Sequence, residues 1–187
     1  MQQKDLIETL EKSYKDLNLM LLKYTKDELE FSLPGKWSAA QQAQHLHKSV
    51  RPVKFAFQLP QFLLKALFGK ANRASKSYDE LLKKYHAQLS KGGSASAPFV
   101  PAKVENIHID NVIIAIEKNI KSLAQSIEKK TEEDLDLCLL PHPLLGKVTL
   151  REMLYFTIFH VLHHRENITN QLTRMNDFKA EMFNSKK

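Results

Sequence analysis

Two short histidine-rich segments contain the residues best suited to chemistry in this sequence. One segment reads FHVLHHREN and carries His160, His163 and His164, while the other reads QHLHK and carries His45 and His47. On a helix that turns by about 100° per residue, His160 and His164 lie on one face, one turn apart. Two imidazoles at this spacing can bind one metal ion, as in the helical metalloprotease motif. That motif has Glu after its first His, and Val161 stands there in this chain, so we exclude that class of enzyme.

A helical wheel indicates which of these histidines face inward. The segment that carries His160 and His164 has an apolar stripe of Leu150, Leu154, Val161, Ile168 and Leu172. His164 lies in the inward half of this wheel, His160 at its margin, and His163 toward solvent. A convincing site needs a third ligand, and on the other segment the wheel does not choose between His45 and His47. Imidazoles alone suit zinc, nickel, copper or iron, whereas a pair without a third ligand is more often hydrogen-bonded or exposed.

Four segments with helical periodicity must position these residues. We predict helices over about 4–26, 38–50, 105–129 and 150–176, and we expect the polar tail 177–187 to fray. Ser38 with Gln41, and Thr149 with Glu152, have the spacing of capping boxes at two helix starts. Pro52 is expected to bend or end the second helix. Residues 53–68 should continue helically after Pro60, and 78–89 should form a short helix.

The connections predict an all-α four-helix bundle in a single domain, 1–187. Few glycines and no alternating pattern argue against a β-rich fold. The 69–103 segment is the least regular part, and it is long enough for a crossover connection between the second and third helices. The segment therefore allows a topology other than simple up-down-up-down. The segment with Pro141, Pro143 and Gly146 is expected to be a loop.

Composition excludes several classes of protein. The net charge of +7 comes from lysines interleaved with Glu and Asp, which favours a solvated surface over a nucleic-acid-binding patch. We find no signal-peptide pattern, and no apolar run reaches the ~20 residues of a membrane span. The one cysteine, Cys138, is expected to be a buried hydrophobe. We predict a cytoplasmic protein that binds no membrane.

Several of these motifs together resemble the DinB-like superfamily. Lys36-Trp37-Ser38 followed by His45-Leu46 resembles its second-helix signature, and 160–164 resembles its C-terminal signature. Residues 142–147, HPLLGK, are similar to an element before the last helix in one branch. The resemblance implies a four-helix bundle with one divalent metal, zinc or nickel, held by His45, His160 and His164. It thereby selects His45 over His47.

The resemblance also implies an activity and partners. An open three-histidine site fits a metal-dependent hydrolase or a thiol S-transferase, acting on a small molecule such as a low-molecular-weight thiol, in a homodimer. Surplus apolar residues at 62–68 are candidates for the dimer interface. The candidate residues around the metal or in the pocket are Trp37, His163, Arg165, Glu166 and Gln171. Glu166-Asn167 departs from the Gly-Gln of the family. The alternatives are a non-catalytic binding or stress-response module and, more weakly, a basic nucleic-acid binder.

Overall fold

The computed structural model describes the backbone of residues 1–184 and the side chains of residues 1–175. The helices in chain order are α1 (Gln3–Leu21), α2 (Lys26–Glu30), α3 (Ala39–Gln58), α4 (Gln61–Phe68), α5 (Tyr78–Leu89), α6 (Ile109–Glu128), α7 (Glu132–Leu137) and α8 (Leu150–Asn184). Two short strands, β1 (Leu139–His142) and β2 (Gly146–Thr149), precede α8. The long helices α1, α3, α6 and α8 form the predicted four-helix bundle.

The apolar stripes of the four long helices form the core, as their periodicity predicts. On α6 the buried stripe is Val112, Ile113, Ile116, Ile120, Leu123 and Ile127. On α8 the predicted stripe is fully buried from Leu150 to Leu172. Helix α1 ends at Leu21, which is fully buried, and the next residue, Leu22, is 62% exposed. The core therefore follows from the 3.6-residue repeat wherever the helix persists.

The order of the helices around the bundle departs from a simple up-down arrangement. Helix α3 packs on α6 and α8, and α1 packs on the same two helices. Consecutive bundle helices α1 and α3 therefore occupy opposite corners, as do α6 and α8. The sequence allowed for this arrangement, because the 69–103 segment is long enough for a crossover connection. The arrangement also makes α3 and α8, the two helices that carry the histidines, direct neighbours.

Capping boxes fix where the two histidine-bearing helices begin. The Ser38 hydroxyl accepts from the Gln41 N–H at 3.1 Å, and the Gln41 amide oxygen accepts from the Ser38 N–H at 3.0 Å. Thr149 and Glu152 exchange the same pair of bonds at the start of α8. Both predicted caps are confirmed. They set the register of each helix and hence the face on which its histidines lie.

Glu152 is also the centre of a buried ion pair. Its carboxylate receives two hydrogen bonds from Arg73, at 2.5 and 2.8 Å, and one from the Lys76 N–H. Burial raises the pKa of Glu152, but the hydrogen bonds from Arg73 and from the backbone of Lys76 and Thr149 outweigh it and lower the pKa. The 69–103 segment is therefore tied to the first turn of α8 by a charged contact.

Several element boundaries differ from the prediction. Pro52 does not end α3, which continues to Gln58; an exposed proline there costs one backbone hydrogen bond. Helix α8 continues past 176 to Asn184, so the predicted start of the tail is wrong. Residues 185–187, and the side chains from 176 onward, lie outside the described residues. The segments of α2 and α7 were not predicted to be helical.

The segment before α8 is a β-hairpin and not the expected loop. Leu139 pairs with Thr149, and His142 pairs with Gly146, in an antiparallel register. Gly146 has φ +73°, a left-handed conformation that glycine adopts readily. The hairpin packs on α8, α4 and α7, and this tertiary packing, which local pattern does not report, explains the missed strands.

The 69–103 segment covers one side of the bundle. Helix α5 packs on α8. Residues 99–102 are anchored to α3: Lys48 donates to the Val100 carbonyl at 2.6 Å, and the Ala102 N–H donates to Gln44 at 2.6 Å. Cys138 is fully buried, as expected. Among the described residues, no helix combines the length and apolarity needed to cross a membrane.

Candidate metal centre

Three buried histidines converge between α3 and α8. The Nε2 atom of His160 lies 3.0 Å from His45 Nε2 and 3.1 Å from His164 Nε2. The three rings are 5%, 6% and 8% exposed for His160, His45 and His164. All three candidate ligand atoms lie within 4.8 Å of one another. The structure thus brings together the three residues that the sequence singled out, and it leaves His47, half-buried, outside the group.

Hydrogen bonds to the outer nitrogens fix the orientation of two of the rings. His45 Nδ1 lies 2.7 Å from the carbonyl oxygen of Phe99, which can only accept, so Nδ1 carries the proton. His164 Nδ1 lies 3.0 Å from the Gln42 side-chain oxygen. Both rings therefore turn an unprotonated Nε2 toward the centre, the tautomer that a metal ligand requires.

A chain of amides holds Gln42 in this orientation. Its Nε2 donates to the Trp37 carbonyl at 3.3 Å and to the Gln171 side-chain oxygen at 3.3 Å. Gln171 Nε2 in turn donates to the Phe31 carbonyl at 2.6 Å. Because backbone carbonyls terminate both branches, the amide of Gln42 cannot flip without losing bonds. Its oxygen must face His164.

These tautomers make the trio suited to a cation. His45 and His164 both present lone pairs at Nε2, and His160 has at most one Nε2 proton to share between them. At least one Nε2–Nε2 contact therefore sets two lone pairs against each other. A divalent cation at the centre satisfies all three nitrogens. Imidazoles bound to one tetrahedral zinc are about 3.3 Å apart, close to the observed separations.

Burial keeps the three imidazoles neutral. It lowers the pKa of His160 and His164 well below the ordinary value, and nearby imidazoles lower it further. Burial also lowers the pKa of His45, although the hydrogen bond to Phe99 opposes the shift. Metal ligation requires the neutral form of imidazole. The trio is therefore in the protonation state that binds metal.

A chamber of about 360 Å³ opens beside the trio. Its walls come from α3, α5, α8, the hairpin and residues 94–99, and they include Phe68, Tyr85, Leu144, Met153 and Phe156. Phe156 stacks on His160 with ring centroids 4.9 Å apart and planes at 24°. An apolar chamber next to converging imidazoles has the form of a small-molecule site.

The other candidate residues divide into two groups. Trp37 lies 5.0 Å from His45 between ring centroids, Gln171 extends the amide chain, and His163 lines the chamber. Arg165 instead pairs with Asp16 on α1 at 3.2 Å. Glu166 is exposed. Neither Arg165 nor Glu166 is among the described residues around the chamber.

Sequence reasoning missed Gln42, Phe99 and His142. Gln42 interrupts the buried stripe of α3 between Ala39 and Leu46, and a polar residue on a buried face was a usable signal. Phe99 contributes only its backbone carbonyl, so its type gives no signal. His142 has no second histidine at a ligand spacing in the sequence, but in the structure it lines the chamber, with its ring centroid 4.1 Å from that of Phe156.

Comparison with known proteins agrees with this fold. The sequence model of the DinB superfamily matches residues 9–168, so the chain belongs to that superfamily. No curated protein matches the sequence. The fold is similar to a solved structure of YfiT from Bacillus subtilis, with a TM-score of 0.62 and 19% identity over 93% of this chain and 87% of that chain. That protein is described as a probable metal-dependent hydrolase with an unusual four-helix bundle topology.

Proposed function

We propose that the protein is a metal-dependent hydrolase whose divalent ion, zinc or nickel, is held by His45, His160 and His164. The observation that carries the proposal is the convergence of three buried Nε2 atoms, two of them fixed as lone-pair donors by Phe99 and Gln42. The description of YfiT as a hydrolase supports the reaction class.

His45, His160 and His164 would hold a divalent ion with room for a further ligand, and the ion would supply polarisation of a carbonyl and a lower pKa of bound water. The residues around the site orient the ligands and surround the substrate. Phe99 and Gln42 hold the Nδ1 protons of two ligands, so the Nε2 lone pairs stay on the inner side. Phe156 fixes the plane of His160 by stacking. The apolar walls exclude bulk water from the substrate, which strengthens polar interactions at the centre.

The chamber favours a hydrolase over a non-catalytic module. A bundle that had kept the fold and lost the chemistry would be expected to fill the space beside the histidines. Here about 360 Å³ adjoins them, lined on several sides by different elements. A thiol S-transferase is the alternative, since the proposed ion would itself bind an ionised thiol, and only the hydrolase has the support of the YfiT description.

The test is metal-dependent hydrolysis. Purified protein is stripped with chelator, reloaded separately with zinc, nickel and manganese, and assayed with 4-nitrophenyl esters and 4-nitroanilides. We expect turnover only after reloading, lost in His160→Ala and kept in His86→Ala, a matched control on an exposed histidine. Equal turnover in the two variants would contradict the proposal. Stoichiometric metal without hydrolysis of any substrate would favour the non-catalytic module.

A further inference from the structure

The chamber beside the histidines is unusual in carrying no charge. Among the described residues that line it there is no Asp, Glu, Lys or Arg, although such residues make up 26% of the chain. Its polar groups are imidazoles, the hydroxyls of Ser49, Ser94, Ser96 and Tyr85, and backbone. A charged group that enters an apolar space without a partner loses its hydration and gains nothing in return. The side chains of the lining therefore discriminate against ionised ligands, and the proposed ion would be the one counter-charge beside the described part of the lining.

His142 gives this chamber one directional hydrogen-bond donor. Its Nδ1 accepts from the backbone N–H groups of Leu144 and Leu145, both at 3.1 Å. Because Nδ1 is an acceptor in both bonds, the proton of the neutral ring lies on Nε2. Burial lowers the pKa of His142 to about 4, so this tautomer persists at neutral pH.

The Nε2–H of His142 has no partner among the described residues, and it is not enclosed by protein. The ring lies against Phe156, which itself stacks on His160. The donor is thus one ring away from the proposed metal ligands. The hairpin turn fixes its direction, since the two backbone bonds hold the imidazole in place.

We infer that the site takes a compact, uncharged ester or amide, whose apolar group fills the chamber and whose carbonyl oxygen accepts a hydrogen bond from His142 Nε2. This inference rests on the proposed function and specifies its substrate class. The volume is at the small end of ligand pockets, which span about 300–1,000 Å³. His142 is a substrate-binding residue in this scheme, and it does not contact the ion.

Trp37 makes the inference directly measurable. It is the only tryptophan of the chain and it lines the chamber, so its fluorescence reports binding there. The probes are three amides of matched length: hexanamide, its analogue with a terminal carboxylate (adipamic acid) and its analogue with a terminal ammonium (6-aminohexanamide). In protein stripped of metal, where no ion offers the carboxylate a partner, we expect hexanamide to bind at least about tenfold more tightly than either charged analogue, the factor that corresponds to a small unpaired-charge penalty.

Two variants test the residues. His142→Asn keeps an acceptor for the turn N–H groups, as Asn does in Asx-turns, but withdraws the donor from the chamber. We expect hexanamide to bind about three- to tenfold more weakly, the range for one hydrogen bond. Ala95→Arg places a cation in the lining and should tighten binding of the carboxylate analogue about tenfold while it weakens binding of the ammonium analogue. This second variant lies in the covering segment, away from the core.

Equal affinity for neutral and charged probes, or unchanged hexanamide binding in a folded His142→Asn variant, would overturn the inference. Metal content is measured on the same samples, so the two proposals can fail separately. Stoichiometric metal without charge selectivity would contradict the proposed substrate class and leave the proposed hydrolase function intact. Charge-selective binding in a protein that takes up no metal would support the inferred binding of uncharged ligands in the chamber and contradict the proposed hydrolase function.

Discussion

Replacing Gln42 by leucine should weaken metal binding without removing a ligand. Gln42 contacts His164 only at Nδ1, at 3.0 Å, on the side of the ring away from the other histidines. Leucine has similar size and cannot accept this bond. His164 would then be free to rotate, or to place its proton on Nε2, and either change removes the lone pair from the centre.

The magnitude follows from the number of bonds lost. Loss of an outer hydrogen-bond partner of a ligand typically lowers metal affinity by about 10- to 100-fold, which is about 1.4–2.7 kcal/mol. The variant also leaves the His164 N–H and the Gln171 oxygen unpaired, and each buried unpaired group costs about 1–3 kcal/mol of stability. We therefore expect both a larger dissociation constant for zinc and a lower melting temperature.

The assay is competition for zinc against a chromogenic chelator, with circular dichroism to follow unfolding. Gln42→Glu keeps an acceptor for His164 and should retain affinity within about threefold. Gln58→Leu makes the same change on the exposed end of α3, where the side chain contacts Ser122, and should leave binding unchanged. If a folded Gln42→Leu protein bound zinc as tightly as the wild type, the proposed orienting role would be refuted.

Three further predictions concern stability and assembly. Glu152→Gln removes the carboxylate that pairs with Arg73 and should cost about 1.5–3 kcal/mol at pH 7, the range for hydrogen bonds to charged groups, because the Arg73 side chain is itself 34% exposed and stays hydrated. Folding lowers the pKa of Glu152. Its contribution to the free energy of unfolding is therefore complete above the pKa of an unfolded glutamate, about 4.3, and is lost as the pH falls through the lower pKa of the folded state. Urea melts of the wild type and the variant should converge in acid. Leu123→Ala, fully buried, should cost about 2–5 kcal/mol in the same melts, whereas Ile114→Ala, 63% exposed on the same helix, should cost less than about 0.5 kcal/mol. The expected homodimer should dissociate in Phe62→Glu, which removes a 73% exposed aromatic ring; a wild-type protein that sediments as a monomer would contradict it.

The elements with strong local signals were predictable from the sequence. The long helices follow from apolar stripes, and their starts follow from Ser38 with Gln41 and from Thr149 with Glu152. The histidine spacing placed His160 and His164 on one face, and the apolar stripe placed His164 in the inward half with His160 at its margin. The helical wheel could not choose between His45 and His47, because both lie near the margin of the stripe on α3. The family resemblance made that choice.

Features decided by tertiary contacts could not be predicted in this way. The hairpin strands are four residues each, too short for periodicity, and packing on α8 and its neighbours stabilises them. Helix α3 tolerates Pro52 because the residue is exposed and the rest of the helix is packed. The bond from His45 to the Phe99 carbonyl joins two distant parts of the chain through backbone, and no residue type encodes it.

The most direct test of the central claim is the metal content of the untagged protein, measured by plasma mass spectrometry. His45→Ala is compared with His47→Ala, two histidines on the same helix of which only the first joins the trio. We predict nearly one zinc or nickel ion per chain in the wild type and in His47→Ala, and loss of the ion in His45→Ala. A wild-type protein that takes up no ion after exposure to zinc and nickel, or a His45→Ala protein that keeps it, would contradict the three-histidine site.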